Sequence, residues 1–229
     1  MGDTFYQAVR WAGWPLWALA ARPIILHQER VPGTGRVLLA PNHLSPYDVP
    51  CLIAALRRPI DFVSITELFR IRWVGWFFGH MNALPLERQR PDPVTVRRII
   101  ARLEQERAVV LFPEGGVRRP EQSVLKTGEF HGGVVQIARL AKAPIIPCAL
   151  LGTGVFAGAK AWVPARRARY GIAFGEPVLV EEGDDHPHDQ QRVLGQLRQA
   201  YADLYRELSD ASGLDVWSHP WRKPTGPSH

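Results

Sequence analysis

Arg36-Val37-Leu38-Leu39-Ala40-Pro41-Asn42-His43-Leu44-Ser45-Pro46-Tyr47-Asp48 falls into three parts. Residues 36–40 form a short apolar run behind a Pro-Gly-Thr-Gly turn at 32–35, the pattern of a buried strand. Residues 45–56 carry helical spacing, with Ser45 suited to an N-cap and Pro46 to the first helical position. Asn42 and His43 therefore lie where a strand hands over to a helix.

The same alternation continues on either side. Strands are expected at 60–65, 83–86, 108–112, 145–151 and 170–174, and helices at 67–80, 93–106, 128–142 and 188–208. Strands alternating with helices predict an α/β fold: a single domain with a mostly parallel sheet flanked by helices. In such sheets ligand sites gather at the carboxyl ends of the strands. The expected boundaries are an N-terminal helical membrane-contact segment over 1–28, the α/β domain over 29–210, and a flexible C-terminal tail over 211–229. The acidic stretch 181–185 reads as a surface loop.

The 229 residues, 46% hydrophobic and 22% charged, suffice for one well-cored domain and exclude a disordered chain. A net charge of +6 favours anionic partners, whether a membrane surface, nucleic acid or a phosphorylated small molecule. No nucleic-acid motif interleaves basic and aromatic residues, so no nucleic-acid partner is expected. Cys51 and Cys148 have neither metal-ligand spacing nor a disulfide framework, so no metal is expected. No secretory signal is expected either.

Residues 11–26 are apolar but broken by Arg22 and two prolines, short of the ~20 residues a spanning helix needs. They are expected to form one interfacial helix, with Trp11, Trp14 and Trp17 against lipid or the wall of a groove. A buried amphipathic helix is the plainer alternative. A second aromatic run, 72–78, places Trp73, Trp76 and Phe77 on one helical face near Arg70 and Arg72, suited to the same roles or to an aromatic-rich core. The basic cluster Lys160, Arg166, Arg167 and Arg169 fits lipid headgroups or plain solvation.

Four short blocks carry reactive or anion-binding chemistry. In the first, Asp48 falls three residues after Ser45 and five after His43. It is placed to close a capping box with Ser45, to fix the tautomer of His43 as a general base, or to do both. In the third, Phe112-Pro113-Glu114-Gly115-Gly116-Val117-Arg118-Arg119 follows the strongest apolar strand, and its turn suits phosphate or plain solvation equally. The second, Asn82 to Arg88, ends an apolar run in a charged pair. The fourth, Ala143-Pro144-Ile145-Ile146-Pro147, has no reactive group and would shape a pocket.

In this order and spacing, the blocks resemble the glycerolipid acyltransferases of the lysophosphatidic acid acyltransferase type, whose series runs N-H-x4-D, G-x-I-x-V-x-R, F-P-E-G-T-R-S and V-P-I-I-P-V. The likeness spans roughly residues 22–175. It implies acyl transfer from acyl-CoA or acyl-carrier protein, as co-substrate, to a hydroxyl of a lysophospholipid, foremost 1-acylglycerol-3-phosphate. His43 would be the base and Asp48 its orienting partner. Arg88, Glu114, Gly115, Gly116, Arg118 and Lys126 would bind the acceptor. No bound cofactor is implied. The implied partners are membrane lipids and the two substrates, and the implied location is peripheral, monotopic, on the cytoplasmic face of a membrane.

Two departures touch the acceptor side. Val117 occupies the arginine position of the third block, with Arg118 one place late, and Asn82 replaces a glycine in the second. A non-phosphate acceptor, such as a lyso-ornithine lipid or specialised metabolite, is therefore a second reading. A non-catalytic acyl-CoA- or lipid-binding protein on the same fold is a third.

Overall fold

A computed structural model describes residues 2–86, 93–162, 167–180, 187–218 and 220. Seven strands make one sheet: β1 (Ala21–Leu26), β2 (Val37–Pro41), β3 (Ile60–Ile65), β4 (Ala83–Leu86), β5 (Ala108–Val110), β6 (Ile145–Leu151) and β7 (Ala168–Phe174). Their order is β1-β7-β6-β2-β5-β3-β4. Every pairing is parallel except β6 with β7. Helices α1 (Gly2–Ala20), α2 (Asp48–Ala55), α3 (Thr66–Arg70), α4 (Arg72–His80), α5 (Pro93–Glu104), α6 (Val124–Thr127), α7 (Gly133–Ala141) and α8 (Pro187–Ser212) cover the sheet. This is the α/β architecture expected from the alternating pattern.

The unbroken apolar character of β2 follows from burial on both faces. Leu38 and Ala40 enter a core shared with α5, α7 and α8, while Val37 and Leu39 enter a second core with Leu52, Ala55 and Tyr6. A solvated face would demand alternating polar residues, and β2 has none.

Four expectations need correction. Residues 11–26 are not one helix: α1 ends at Ala20, and Ala21–Leu26 is an edge strand paired with β7. Pro23 disfavours helix at the residue before it, and an edge strand tolerates its missing N–H. The β-branched pair Ile24-Ile25 then suits a strand. The helix expected over 67–80 breaks at Ile71, and there Gly75 lets α4 cross α3 closely. A Cβ on Gly75 would lie 2.6 Å from the Phe69 carbonyl oxygen. The helix expected over 128–142 shortens to α7: Gly128 ends the separate short helix α6 before it, its N–H closing onto the Val124 carbonyl, and the next helix begins only at Gly133. The first described residues of the expected tail are packed: Leu214 and Val216 are buried in the α8-side core, and the Ser212 hydroxyl donates to the Leu208 carbonyl. Arg88, Arg166, the loop 181–185 and residues 219 and 221–229 lie outside the described residues.

Candidate active site

The carboxyl ends of three adjacent parallel strands, β5, β2 and β6, lie side by side in the middle of the sheet. The chain leaving β2 carries Asn42 and His43. The side-chain amide of Asn42 donates to the Leu150 carbonyl at 3.0 Å and accepts from the Leu150 N–H at 2.7 Å. This paired bond fixes the end of β2 against β6, and His43 starts from a rigid base.

Asp48, fully buried at the start of α2, collects donors from three directions. Its Oδ2 accepts from His43 Nδ1 at 2.9 Å, from the Leu44 N–H at 2.9 Å and from the Ser45 N–H at 3.0 Å. Its Oδ1 accepts from the Thr153 hydroxyl. Capping and tautomer control thus coexist in one carboxylate. Ser45 is not the N-cap itself: its hydroxyl accepts from the Tyr47 N–H, and α2 begins at Asp48. With Nδ1 bonded to a carboxylate, the proton belongs on Nδ1 and the lone pair on Nε2. Phe112, just past β5, stacks on the imidazole with centroids 3.8 Å apart and planes at 19°. The ring is thereby held in orientation from two sides.

His43 borders a cavity of about 830 Å³, within the ~300–1,000 Å³ typical of small-molecule sites. The cavity runs along α2 past Val49 and Ile53, with α1 supplying Trp14 and Trp17, and α4 supplying Phe77 and Phe78. Its wall is overwhelmingly apolar, the lining an aliphatic chain requires. Trp17 is half-buried in that wall, stacked on Phe156 at 4.6 Å, with its N–H donating to the Tyr170 hydroxyl. Trp11 (73% exposed), Trp14, Trp73 (79%) and Trp76 remain accessible. Helices α1 and α4 meet through Phe5, whose ring sits edge-on to Trp76 at 5.2 Å.

The remaining site residues expected from the sequence divide in two. Glu114, 2% exposed, points inward: Oε2 accepts from the His43 N–H at 2.8 Å, and Oε1 accepts from the Val124 N–H at 2.7 Å and from the Ser123 hydroxyl. Burial pushes its carboxyl above the usual carboxylate range, against the pull of those backbone donors. Arg118 sends its N–H to the His43 carbonyl at 2.7 Å and folds its guanidinium onto the Glu114 carbonyl. Gly115 and Gly116 form the turn between them, and Val117 borders the cavity. Lys126 stands apart, with its ammonium 5.4 Å from the Tyr205 ring on α8. The sequence reading missed Thr153 as a partner of Asp48 and Ser123 as a partner of Glu114. Both are ordinary hydroxyls in loops, and only the folding of the sheet brings them in.

A family model described as Acyltransferase matches residues 23–151, more than half of the chain and the region holding all four blocks. This chain belongs to the acyltransferase family. The family member is 31% identical over 129 residues to the 1-acyl-sn-glycerol-3-phosphate acyltransferase of Bacillus subtilis, covering 56% of this chain and 62% of that protein. It is 25% identical over 172 residues to the enzyme of the same name from Streptococcus pneumoniae, covering 73% and 60%. The matched region thus spans about three-fifths of these curated relatives. Its fold matches the crystal structure of the 1-acyl-sn-glycerophosphate (LPA) acyltransferase PlsC from Thermotoga maritima with a TM-score of 0.64, covering 89% of this chain and 80% of that one at 19% identity.

Proposed function

We propose that this protein transfers a fatty acyl group from acyl-CoA or acyl-carrier protein to the free hydroxyl of 1-acylglycerol-3-phosphate, a step of phospholipid synthesis. The observation that carries this reading is an imidazole, its Nδ1 bonded to a buried carboxylate, on the border of a large apolar cavity. The names of the relatives supply the acceptor.

In this mechanism the acceptor oxygen attacks the thioester carbonyl while Nε2 of His43 takes the hydroxyl proton. Asp48 stabilises the imidazolium that forms and keeps its Nδ1 proton. Collapse of the tetrahedral intermediate breaks the C–S bond. The thiolate leaves with the proton from Nε2, giving one ester and one thiol. No covalent acyl-enzyme is required. The exposed tryptophans on α1 and α4 would sit in the headgroup zone, with the protein peripheral on the cytoplasmic face. Among the described residues no helix is long and apolar enough to cross a membrane.

A second reading has its own support. Val117 is apolar at the cavity wall, and the Arg118 guanidinium is folded back on the Glu114 carbonyl, which suits an acceptor without phosphate. One experiment addresses both readings: long-chain acyl-CoA, a panel of lyso-lipids, and thiol and product measured by mass spectrometry for wild type and His43→Ala. Acylated 1-acylglycerol-3-phosphate in wild type and a loss of at least a thousandfold in the variant is the expected result. Turnover only with a phosphate-free acceptor establishes the second reading. Turnover by His43→Ala equal to wild type removes both.

A further inference from the structure

Asp48 has two carboxylate oxygens with unequal duties. Oδ2 carries the imidazole and two backbone N–H groups, whereas Oδ1 has a side-chain partner from a distant part of the chain, the hydroxyl of Thr153, 105 residues away. Thr153 is 1% exposed and opens a short 3-10 turn (Thr153–Ala157) directly after β6. Gly152 aims it. Its backbone is left-handed at φ 77°, and a Cβ there would come within 3.1 Å of both the Arg169 carbonyl oxygen and a Leu214 methyl. That conformation is open to glycine and strained for other residues. Leu214 itself is held by the Ser212 hydroxyl, which accepts its N–H, and by the Ser209 hydroxyl, which donates to its carbonyl. The turn is therefore clamped between β7 and the segment after α8, and the hydroxyl is delivered to Oδ1 as a fixed donor.

We propose that Thr153 is a positioning residue for the His43–Asp48 pair: its hydroxyl, locked by the Gly152 turn, sets the rotation of the Asp48 carboxylate so that Oδ2 faces His43 Nδ1. The proposal rests on the acyl-transfer reading above. A carboxylate turns easily about its last bond, and donors on Oδ2 alone leave Oδ1 free to exchange with it. A donor fixed on Oδ1 removes that exchange. A charge-assisted bond between buried groups is also among the stronger hydrogen bonds of a protein. The role differs from that of His43, because Thr153 touches no reacting atom and acts through Asp48.

The test compares Thr153→Val, Thr153→Ala and Thr153→Ser with wild type. Valine keeps the shape and removes the donor; alanine removes it without adding bulk and serves if the valine variant does not fold; serine keeps the hydroxyl. Two readouts are taken: kcat and KM for the acceptor, and the downfield proton NMR signal of His43 Nδ1–H, which reports the bond to Asp48 without turnover. Expected is a fall in kcat of about tenfold with KM within twofold, a shifted or broadened Nδ1–H signal in the valine or alanine variant, and recovery of both in the serine variant. An unchanged signal and unchanged kcat in the variants without hydroxyl overturns the proposal. A loss that serine does not repair overturns it too, since the methyl and not the hydroxyl would then matter. If wild type itself turns over no acceptor, the acyl-transfer reading fails, while the Nδ1–H signal still decides whether Thr153 orders Asp48 against His43.

Discussion

Glu114 illustrates how a residue can belong to a site without facing its ligand. Its two oxygens receive a backbone N–H from His43, a backbone N–H from Val124 and the Ser123 hydroxyl, so the side chain ties the base to the loop that follows β5. Replacing it by Gln turns one acceptor into an NH2 group facing a donor. Glu114→Gln is expected to cost about 1–3 kcal/mol by denaturant titration, the size of a buried polar group left unpaired, and to lower kcat. A raised KM at unchanged stability would instead signify direct contact with the acceptor. Asp48 was legible in the sequence because its partners Ser45 and His43 lie within five residues. The cradle of Glu114 was not, because His43, Ser123 and Val124 come to it from 71, 9 and 10 residues away. Short-range partners leave a spacing signature, and long-range partners leave none.

Among the elements, α1 and α4 are paired by Phe5 against Trp76 and His80, and together they border the apolar cavity. Trp11 and Trp73 project from them into solvent. Removing both, as Trp11→Ala with Trp73→Ala, is expected to weaken sedimentation with anionic vesicles roughly tenfold while leaving the melting temperature within a few degrees. Unaltered sedimentation would exclude these two rings as the membrane contact. The strands of the central sheet were readable because continuous apolar runs have few alternatives at that length. The edge strand β1 was not, since its residues are as apolar as the helix before it and only the location of Pro23 separates them. The close crossing at Gly75 and the helix end at Gly128 likewise depend on contacts that their neighbours in sequence do not announce.

Over the whole molecule, the start of α1 is fastened to the sheet by charge. Arg107 donates to both oxygens of Asp3 and to both oxygens of the fully buried Asp61, and Asn82 donates to Asp3 as well. The Arg107 guanidinium holds the Asp3 carboxyl down at about 2, while burial pushes that of Asp61 up. A carboxyl lowered by folding stabilises the fold above its unfolded value near 3.8 and loses that contribution as the pH falls toward 2. Acid titration between about pH 4 and pH 2 should therefore loosen α1 in wild type, read by the fluorescence of Trp11, Trp14 and Trp17. In Asp3→Asn the part of that change due to Asp3 should be missing. The same acid transition in both proteins would remove Asp3 from the linkage.

Parallel pairing of β1 with β7 joins Ala21 to Ala168, 147 residues further along the chain. During synthesis at ~5–20 residues per second, the N-terminal segment therefore waits about 7–30 s for the strand that completes its edge of the sheet. Throughout that interval β1 lacks its partner strand, and Trp17 of α1 lacks the Phe156 and Tyr170 rings it packs against. An early-made segment thus completes its packing late, and its side of the sheet closes only once β7 has emerged.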